Sequence, residues 1–470
     1  MNDSKRTFTM GLMALMLSAC AVSQEPFADW TQRDPDSWQL AEQSVVHESD
    51  TLLTHESGQA VTVIGPDFGA DDYVSLAVAR NPAIRAAEQV VEGLRERIAQ
   101  VSSLDDPMFM ASPVGDMAET AAGQAGLMTS VSQTLPLPGK LETRGQMAAQ
   151  DVAMASADLQ STRLRVIADT RQAYWSYYLA ARAMEVTEAS RQLLRQLKII
   201  AEANYKAGTA MQQDVLRASV ELSNLDNELI TLQQRKSTAI ARLNALLDRP
   251  VNAALPEPKP AQLQGISLEL DRLLEEAAQS NPEIQGIHQR IERFRQQLRL
   301  ARLDRWPDLT VGLNYVAVDD MGLSAMANGD DQWWLSFGIN LPIWAAKRDA
   351  AEREALHGIG QTVAELTSTR NDLAFRVDDT LVRVQTQQRL VILFRDVIIP
   401  QAQQTVDASS SGYQAGRIEF LTLVDNWRKL LDFQLLYHQS LAQLEQDFAQ
   451  LQQLVGRDLP RDNMTTESMR

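Results

Sequence analysis

The sequence predicts a mostly α-helical, internally duplicated chain in which each half sets a pair of β-strands between long coiled-coil helices. Three observations carry this expectation: landmarks that recur about 200 residues apart, proline-free stretches much longer than ordinary helices, and short segments of strict apolar and polar alternation. Asn81-Pro82-Ala83-Ile84 returns as Asn281-Pro282-Glu283-Ile284 at an offset of 200, and Leu135-Pro136-Leu137 returns as Leu341-Pro342-Ile343 at an offset of 206. At an offset of 208, Tyr205-Lys206-Ala207-Gly208 returns as Tyr413-Gln414-Ala415-Gly416, and Leu246-Leu247-Asp248-Arg249 returns loosely as Leu454-Val455-Gly456-Arg457. The landmarks keep their order, so the unit is a duplicated half. The growing offset puts about eight extra residues in the second copy, mostly around its hairpin.

Residues 1–20 read as a secretory signal: Lys5 and Arg6 precede an apolar run from Phe8 to Leu17 that is too short to span a bilayer as a helix. The segment closes with Leu17-Ser18-Ala19-Cys20, which resembles a bacterial lipobox and makes Cys20 the expected site of acylation; an incidental cysteine in an ordinary signal is the alternative. Cys20 is the single cysteine among 470 residues, which excludes an intrachain disulfide. Ala21 stands where an inner-membrane retention signal would carry Asp, which resembles outer-membrane sorting. Residues 21–70 are polar, contain Pro26, Pro35 and Pro66, and read as a tether. The chain carries a formal charge of −17, and removal of Asp3, Lys5 and Arg6 with the signal takes this to −18, which argues against a nucleic-acid partner. No later segment has about 18 consecutive apolar residues, so a membrane could be crossed only with strands.

The helices follow from composition and period. Leu141 to Ala203 is 63 residues without proline, rich in Ala, Gln, Leu, Arg and Glu. Its apolar seam runs through Leu164, Ile167, Tyr174, Tyr178 and Ala181. A second seam uses Ala218, Leu222, Leu225, Leu229 and Leu232. The last runs from Trp427 through Leu430, Gln434, Tyr437, Leu441, Leu444, Phe448 and Leu451 to Val455 in steps of three and four, which calls for coiled-coil packing. Helical stretches at 72–103 and 214–247, of 32 and 34 residues, together match the 63-residue helix between them, so two short helices can stack end to end beside one long one. The second copy repeats this loosely with 267–305 and 419–455 beside 345–411, where Pro400 is expected to kink or break the long helix.

Between the helices, Leu309, Val311, Leu313 and Tyr315 alternate with Thr310, Gly312 and Asn314. Trp333, Leu335, Phe337, Ile339 and Leu341 alternate with Trp334, Ser336, Gly338 and Asn340. Trp306, Tyr315, Trp333, Trp334 and Trp344 lie near the strand ends, where aromatic belts meet lipid headgroups. The first copy is weaker: Leu127, Thr129, Val131 and Leu135 alternate with Ser130, Ser132 and Thr134, after a poorly patterned Met108 to Val114. A soluble sheet packed on helices would also alternate. The lipoprotein-like signal, the small polar inner face and the terminal aromatics together favour a transmembrane barrel, and four strands per chain are too few to close one, so the chain must oligomerise. The expected division is signal 1–20, tether 21–70, first repeat 71–249 with hairpin 107–136 and turn 205–213, linker 250–266, second repeat 267–457 with hairpin 307–342 and turn 412–418, and tail 458–470.

On the two Asn-Pro helix starts, the junctions Ser132-Gln133-Thr134-Leu135-Pro136 and Gly338-Ile339-Asn340-Leu341-Pro342, and the two Tyr-x-Ala-Gly turns, the chain resembles the TolC family of outer-membrane efflux proteins from about Asp71 to Arg457. The resemblance implies a homotrimer, with a 12-stranded β-barrel in outer-membrane lipid continued by a 12-helix periplasmic α-barrel. It implies service as the exit duct of a tripartite pump, joined through a periplasmic adaptor (membrane fusion) protein to an inner-membrane RND-type transporter. Carried onto this chain, it makes Tyr205, Ala207, Gly208, Tyr413, Ala415 and Gly416 the tips that adaptors grip, where the glycines also suit left-handed helix caps. The family's second tip often places aspartates six and nine residues after the glycine. Here Asp425 matches the second and Thr422 replaces the first, so Asp425, with Glu419, forms either a cation-attracting entrance or one more solvated helix face. Leu137-Pro138-Gly139-Lys140-Leu141 with Arg144-Gly145 resembles the heavy-metal branch. A multidrug duct, a type I secretion duct and, more distantly, a periplasmic coiled-coil adaptor lipoprotein are the alternatives.

No cofactor or bound metal is expected. The 16 methionines invite a soft-metal reading, but Met13 and Met16 lie in the signal and Met464 in the tail, and although Met108, Met110 and Met128 lie near a hairpin, helix methionines are more often packing residues. His47, His55, His288, His357 and His438 show no ligand spacing. No paired His and Cys, phosphate loop or nucleophile elbow suggests an enzyme.

Overall fold

The computed structural model describes residues 64–461 except 66, 115–117, 262–264 and 321–327. The signal, Cys20, nearly all of the tether and the end of the tail therefore lie outside the described residues.

The helices are α1 (Ala70–Arg80), α2 (Pro82–Ser102), α3 (Lys140–Lys206), α4 (Gln212–Leu246), α5 (Leu270–Ser280), α6 (Pro282–Leu303), α7 (Ala345–Leu393), α8 (Ile399–Gln414) and α9 (Phe420–Val455). Helix α3 has 67 residues, which at 1.5 Å per residue is about 100 Å. It lies against α2 and α4, as the matched lengths require, and also against α1, α6 and α9. Helix α7 packs on α5, α6 and α9 in the same manner.

The stretches 72–103 and 267–305 are each two helices, and the reason is one repeated device. Proline at the first turn of a helix has no N–H to bond backward and disfavours helical geometry in the residue before it, so Asn81 and Asn281 are extended, with ψ of 123° and 121°. Each asparagine caps the second helix: Asn81 Oδ1 accepts from the Ala83 N–H at 2.9 Å, and Asn281 Oδ1 accepts from the Glu283 N–H at 2.9 Å. Each amide then donates across the fold, Asn81 Nδ2 to the Leu246 carbonyl at 3.0 Å and Asn281 Nδ2 to the Leu454 carbonyl at 2.8 Å. Both asparagines are buried. The break thus holds the end of the distant partner helix while capping its own.

Those partner ends are equivalent too. Gly456 (φ +90°) and Asp248 (φ +54°) both take left-handed backbone. Gly456 cannot carry a side chain there, because a Cβ would come within 2.6 Å of the Ser280 carbonyl oxygen.

Pro400 neither breaks nor ends its helix. Between α7 and α8 lies one π-helical segment, Phe394–Ile398, in which the Ile399 N–H bonds to the Phe394 carbonyl. A proline ring in a regular α-helix collides with the carbonyl four residues earlier, and widening the turn just upstream relieves that collision without interrupting the rod.

Toward the two turns the halves share one core. Leu194, Leu197 and Ala201 of α3, Ala218 and Leu225 of α4, Val406 of α8, and Phe420, Leu423, Val424 and Trp427 of α9 are buried together. The seam of α9 is the expected one, except that Gln434 and Tyr437 are half-buried. The seam of α3 is broader: Val166, Ala168, Ala173, Trp175 and Tyr177 are buried beside Tyr174 and Tyr178, whereas Leu164 and Ile167 are half-buried. A helix with neighbours on several sides cannot be described by one stripe. In its middle, ring contacts run from Tyr73 to Tyr174 (5.6 Å), Trp175 (5.4 Å), Tyr178 (5.1 Å) and His438 of α9 (6.1 Å).

The strands are β1 (Met108–Pro113), β2 (Glu119–Thr120), β3 (Gly123–Leu135), β4 (Leu309–Asp319) and β5 (Gln332–Ile339). They form one antiparallel sheet in the order β1-β3-β4-β5, with the short β2 also on β3. The β3–β4 pairing joins the two halves, from Leu135↔Leu309 to Gln124↔Asp319, with a bulge between Ala125 and Leu127. The weakly patterned first copy is thus ordered by its neighbour strand.

Replacing Asn81 or Asn281 with Asp keeps a good cap but removes the donor to the distant carbonyl. Each substitution should cost roughly 1–3 kcal/mol in denaturant unfolding of the purified protein. Burial, with Arg182 nearby, pushes the His438 imidazole down from 6.5 to about 4. The unfolded chain takes up that proton first, so His438 should erode stability as pH falls from 6.5 toward about 4. His438→Gln should flatten the pH dependence of the unfolding midpoint over that interval.

Candidate conduction path

Cross-strand register sorts the sheet into two chemically opposite faces. One carries Phe109, Leu127, Val131, Leu135, Leu309, Val311, Leu313, Tyr315, Trp333, Leu335, Phe337 and Ile339, with Val131↔Leu313↔Leu335 and Tyr315↔Trp333 directly paired. Its side chains are exposed, Phe337 by 71 % and Trp333 by 66 %. The other face carries Ser130, Ser132, Thr134, Thr310, Gly312, Asn314 and Ser336, together with Met128, Val316 and Trp334. Here Thr134 and Thr310 hydroxyls lie 3.2 Å apart, and Asn314 Nδ2 donates to Ser336 Oγ at 3.0 Å. A Cβ on Gly312 would meet Ser336 Oγ at 2.5 Å, so a side chain there would have to turn that hydroxyl aside. Among the described residues, strands β1 and β5 are the two edges, each paired on one side alone.

A polar knot fixes the sheet to the helices. Lys140, at the start of α3, has a side chain 3 % exposed. Its Nζ donates to Asp308 Oδ1 at 2.8 Å and to the Trp306 carbonyl at 3.1 Å, and sits 3.3 Å from Asp304. Asp308 Oδ1 also accepts from the Leu137 N–H at 2.9 Å, and the Asp308 N–H donates to Asn340 Oδ1 at 2.6 Å. The motif 137–141 of the first hairpin is thereby tied to the entry of the second, and Gly139 (φ +95°) turns the chain into α3.

At the opposite end of the helices, both expected tips are complete Schellman caps. Gly208 (φ +75°) donates to the Tyr205 carbonyl and Thr209 to the Asn204 carbonyl, while Gly416 (φ +68°) donates to the Tyr413 carbonyl and Arg417 to the Gly412 carbonyl. Nothing lies within 4 Å of where a Cβ would sit on either glycine. Ala207 and Ala415 are exposed beside them. The tyrosines differ: Tyr205 is exposed, whereas Tyr413 is buried with its ring 5.2 Å from Phe420.

Glu419 is exposed at the start of α9, and Asp425 lies one and a half turns further on. Asp425 is half-exposed and stands 3.6 Å from Arg428, so its charge is partly answered within the chain. Arg428 is held mainly by the buried Glu221 of α4, to which its Nε donates at 3.1 Å. Sequence reading missed Glu221, although it falls between Ala218 and Leu225 on the apolar seam of α4, where a carboxylate needs a partner. Among the described residues, no three His, Cys, Asp or Glu side chains converge as metal ligands, and no helix is long and apolar enough to cross a membrane.

The family model for outer membrane efflux proteins matches residues 73–249 and 273–457. The cobalt-zinc-cadmium resistance protein CzcC of Cupriavidus metallidurans is 22 % identical over 392 residues, covering 82 % of this chain and 89 % of that protein. The solvent efflux pump outer membrane protein SrpC of Pseudomonas putida is 21 % identical over 330 residues, covering 69 % and 68 %. The solved structure of CusC, described for its folding and transmembrane channel formation, superposes with a TM-score of 0.70 at 16 % identity, over 83 % of this chain and 92 % of that one.

Lys140→Met should strand the Asp308 carboxylate and lower stability by roughly 3 kcal/mol. Heat-dependent gel mobility of the purified protein should show the sheet unfolding at lower temperature, with Asp308→Asn in the Lys140→Met background restoring part of the loss.

Proposed function

Because the chain belongs to the outer membrane efflux protein family, we propose that it works as the exit duct of a tripartite pump, passing heavy-metal cations from periplasm to exterior by passive conduction once an adaptor has opened it. The observation that carries this function is the sheet with one apolar and one polar face and two open edges. In hydrocarbon the edge N–H and C=O groups need strand partners, which further copies of the chain supply. Two copies would give eight strands, whose interior is filled by side chains; three give twelve, which leaves room for a lumen. The apolar face then meets outer-membrane lipid and the polar face lines water.

An adaptor docked on the two tips accounts for glycines whose Cβ positions open to solvent: packing within the chain leaves room there, and a partner approaching the backbone would not. An inner-membrane RND-type transporter completes the assembly. Acylated Cys20 would anchor the chain in the same membrane as the barrel. Asp425 and Glu419, repeated around the helical tube, favour cations at its entrance. Metal cargo is supported by the similarity to CzcC along most of both chains. The similarity to SrpC supports export of organic solvents as the second reading.

A deletion strain complemented with the wild-type chain should regain tolerance to cobalt, zinc, cadmium, copper and silver salts, and not to toluene or detergents. The variants Gly208→Asn and Gly416→Asn keep residues that tolerate left-handed geometry while adding a side chain. They should assemble normally yet complement at least ten-fold less well. Full complementation by both would remove the tips as adaptor contacts, and solvent sensitivity alone would move the duct to the solvent branch.

A further inference from the structure

Strand register sets Met128 beside Met108 and Met110, which the sequence already places two residues apart. Met108 and Met110 are two residues apart on β1 and so share a face. Met110 pairs with Ser130, and Met128 pairs with Ser112, which sets Met128 of β3 diagonally across from Met110 on that same face. Met110 is thus about 7–8 Å at Cα from each of the other two, while Met108, paired with Ser132, is about 14 Å from Met128; Met110 is the central ligand, and the outer two reach toward it on flexible three-torsion side chains. The three are exposed, Met108 by 61 %, Met110 by 53 % and Met128 by 40 %.

This is the polar face. Its other members near the methionines are Ser112, Ser130, Ser132 and Val316, and it is the face that lines water in a closed barrel. Farther along this face Val316, the cross-strand partner of Met128, is buried with Ala125 and Val318, but the three methionines stand exposed outside that cluster and meet no lipid there. Thioether sulfur is a soft, uncharged donor that selects monovalent copper or silver over oxygen-seeking cations. Three neutral ligands leave the ion its single charge, which suits a site that must release what it binds.

We propose that Met108, Met110 and Met128 form a thioether site for a soft monovalent cation, Cu(I) or Ag(I), one per chain on the channel wall. The site's place on a transport route rests on the duct function proposed above, whereas its affinity for silver does not.

The test is calorimetric titration of the purified, detergent-solubilised protein with silver nitrate in chloride-free buffer, against the volume-conserving variant Met108→Leu/Met110→Leu/Met128→Leu. Wild type should take up one more silver ion per chain than the variant, with a sulfur shell by X-ray absorption. Uptake through Cys20 is common to both and subtracts out. Zinc and cobalt titrations should not distinguish them. Equal silver uptake by the two proteins would overturn the proposal. If the triple variant fails to assemble on a gel, Met110→Leu alone decides: a ten-fold or greater loss of silver affinity sustains the site, and unchanged affinity rejects it. Silver bound by the purified protein with no metal sensitivity of the deletion strain would keep the site and retire metal export; the reverse would keep metal export and retire the site.

Discussion

An unpaired strand edge has nowhere to place its N–H and C=O groups inside hydrocarbon. That constraint governs this chain, whose sheet leaves β1 and β5 as open edges among the described residues and carries an apolar face crowded with Phe, Trp, Leu and Ile. The helices respect it at a distance. Helix α3 runs from the sheet without interruption, and the Lys140 knot holds its start against the entry of β4. Strand β4 has 11 residues, about what a tilted transmembrane strand needs.

The duplication shows which features the architecture requires twice. Asn81 and Asn281 make the same three-way junction, which calls for a side chain that accepts and donates at once; Ser or Asp could cap but not reach a carbonyl with an N–H. Both tips are Schellman caps. Where the copies differ, the demand was local. Arg163 meets Glu88 between α3 and α2, whereas Arg370 of α7 meets His288 of α6, at 3.3 Å, in the matching place. Tyr205 is exposed and Tyr413 is buried, so the tips present unlike surfaces on like backbones.

Function in such a protein resides in surfaces more than in a pocket. The relatives it resembles include a metal-resistance protein and a solvent efflux protein at nearly equal identity, and the shared framework is indifferent to cargo. The surfaces themselves carry small hydroxyls and amides along most of the polar face, acids near the tips, and methionines at β1 and β3.

The sequence by itself determined the helices, the repeat and the second hairpin, because proline-free runs, heptad steps and strict alternation are local signals. It also determined the left-handed caps at Gly208 and Gly416, since a helix end followed by glycine has one common geometry. Tertiary structure decided what depends on residues far apart. The prolines set the helix breaks at Asn81 and Asn281, but the carbonyls that their amides hold, Leu246 and Leu454, come from across the fold. Pro400 is absorbed because a π turn can form just before it, while α3 buries several faces because five helices meet it. Glu221 is paired only once α9 brings Arg428 beside α4. The methionines share a face only once β1 and β3 take their register, for a shift of one residue would turn them to the other side.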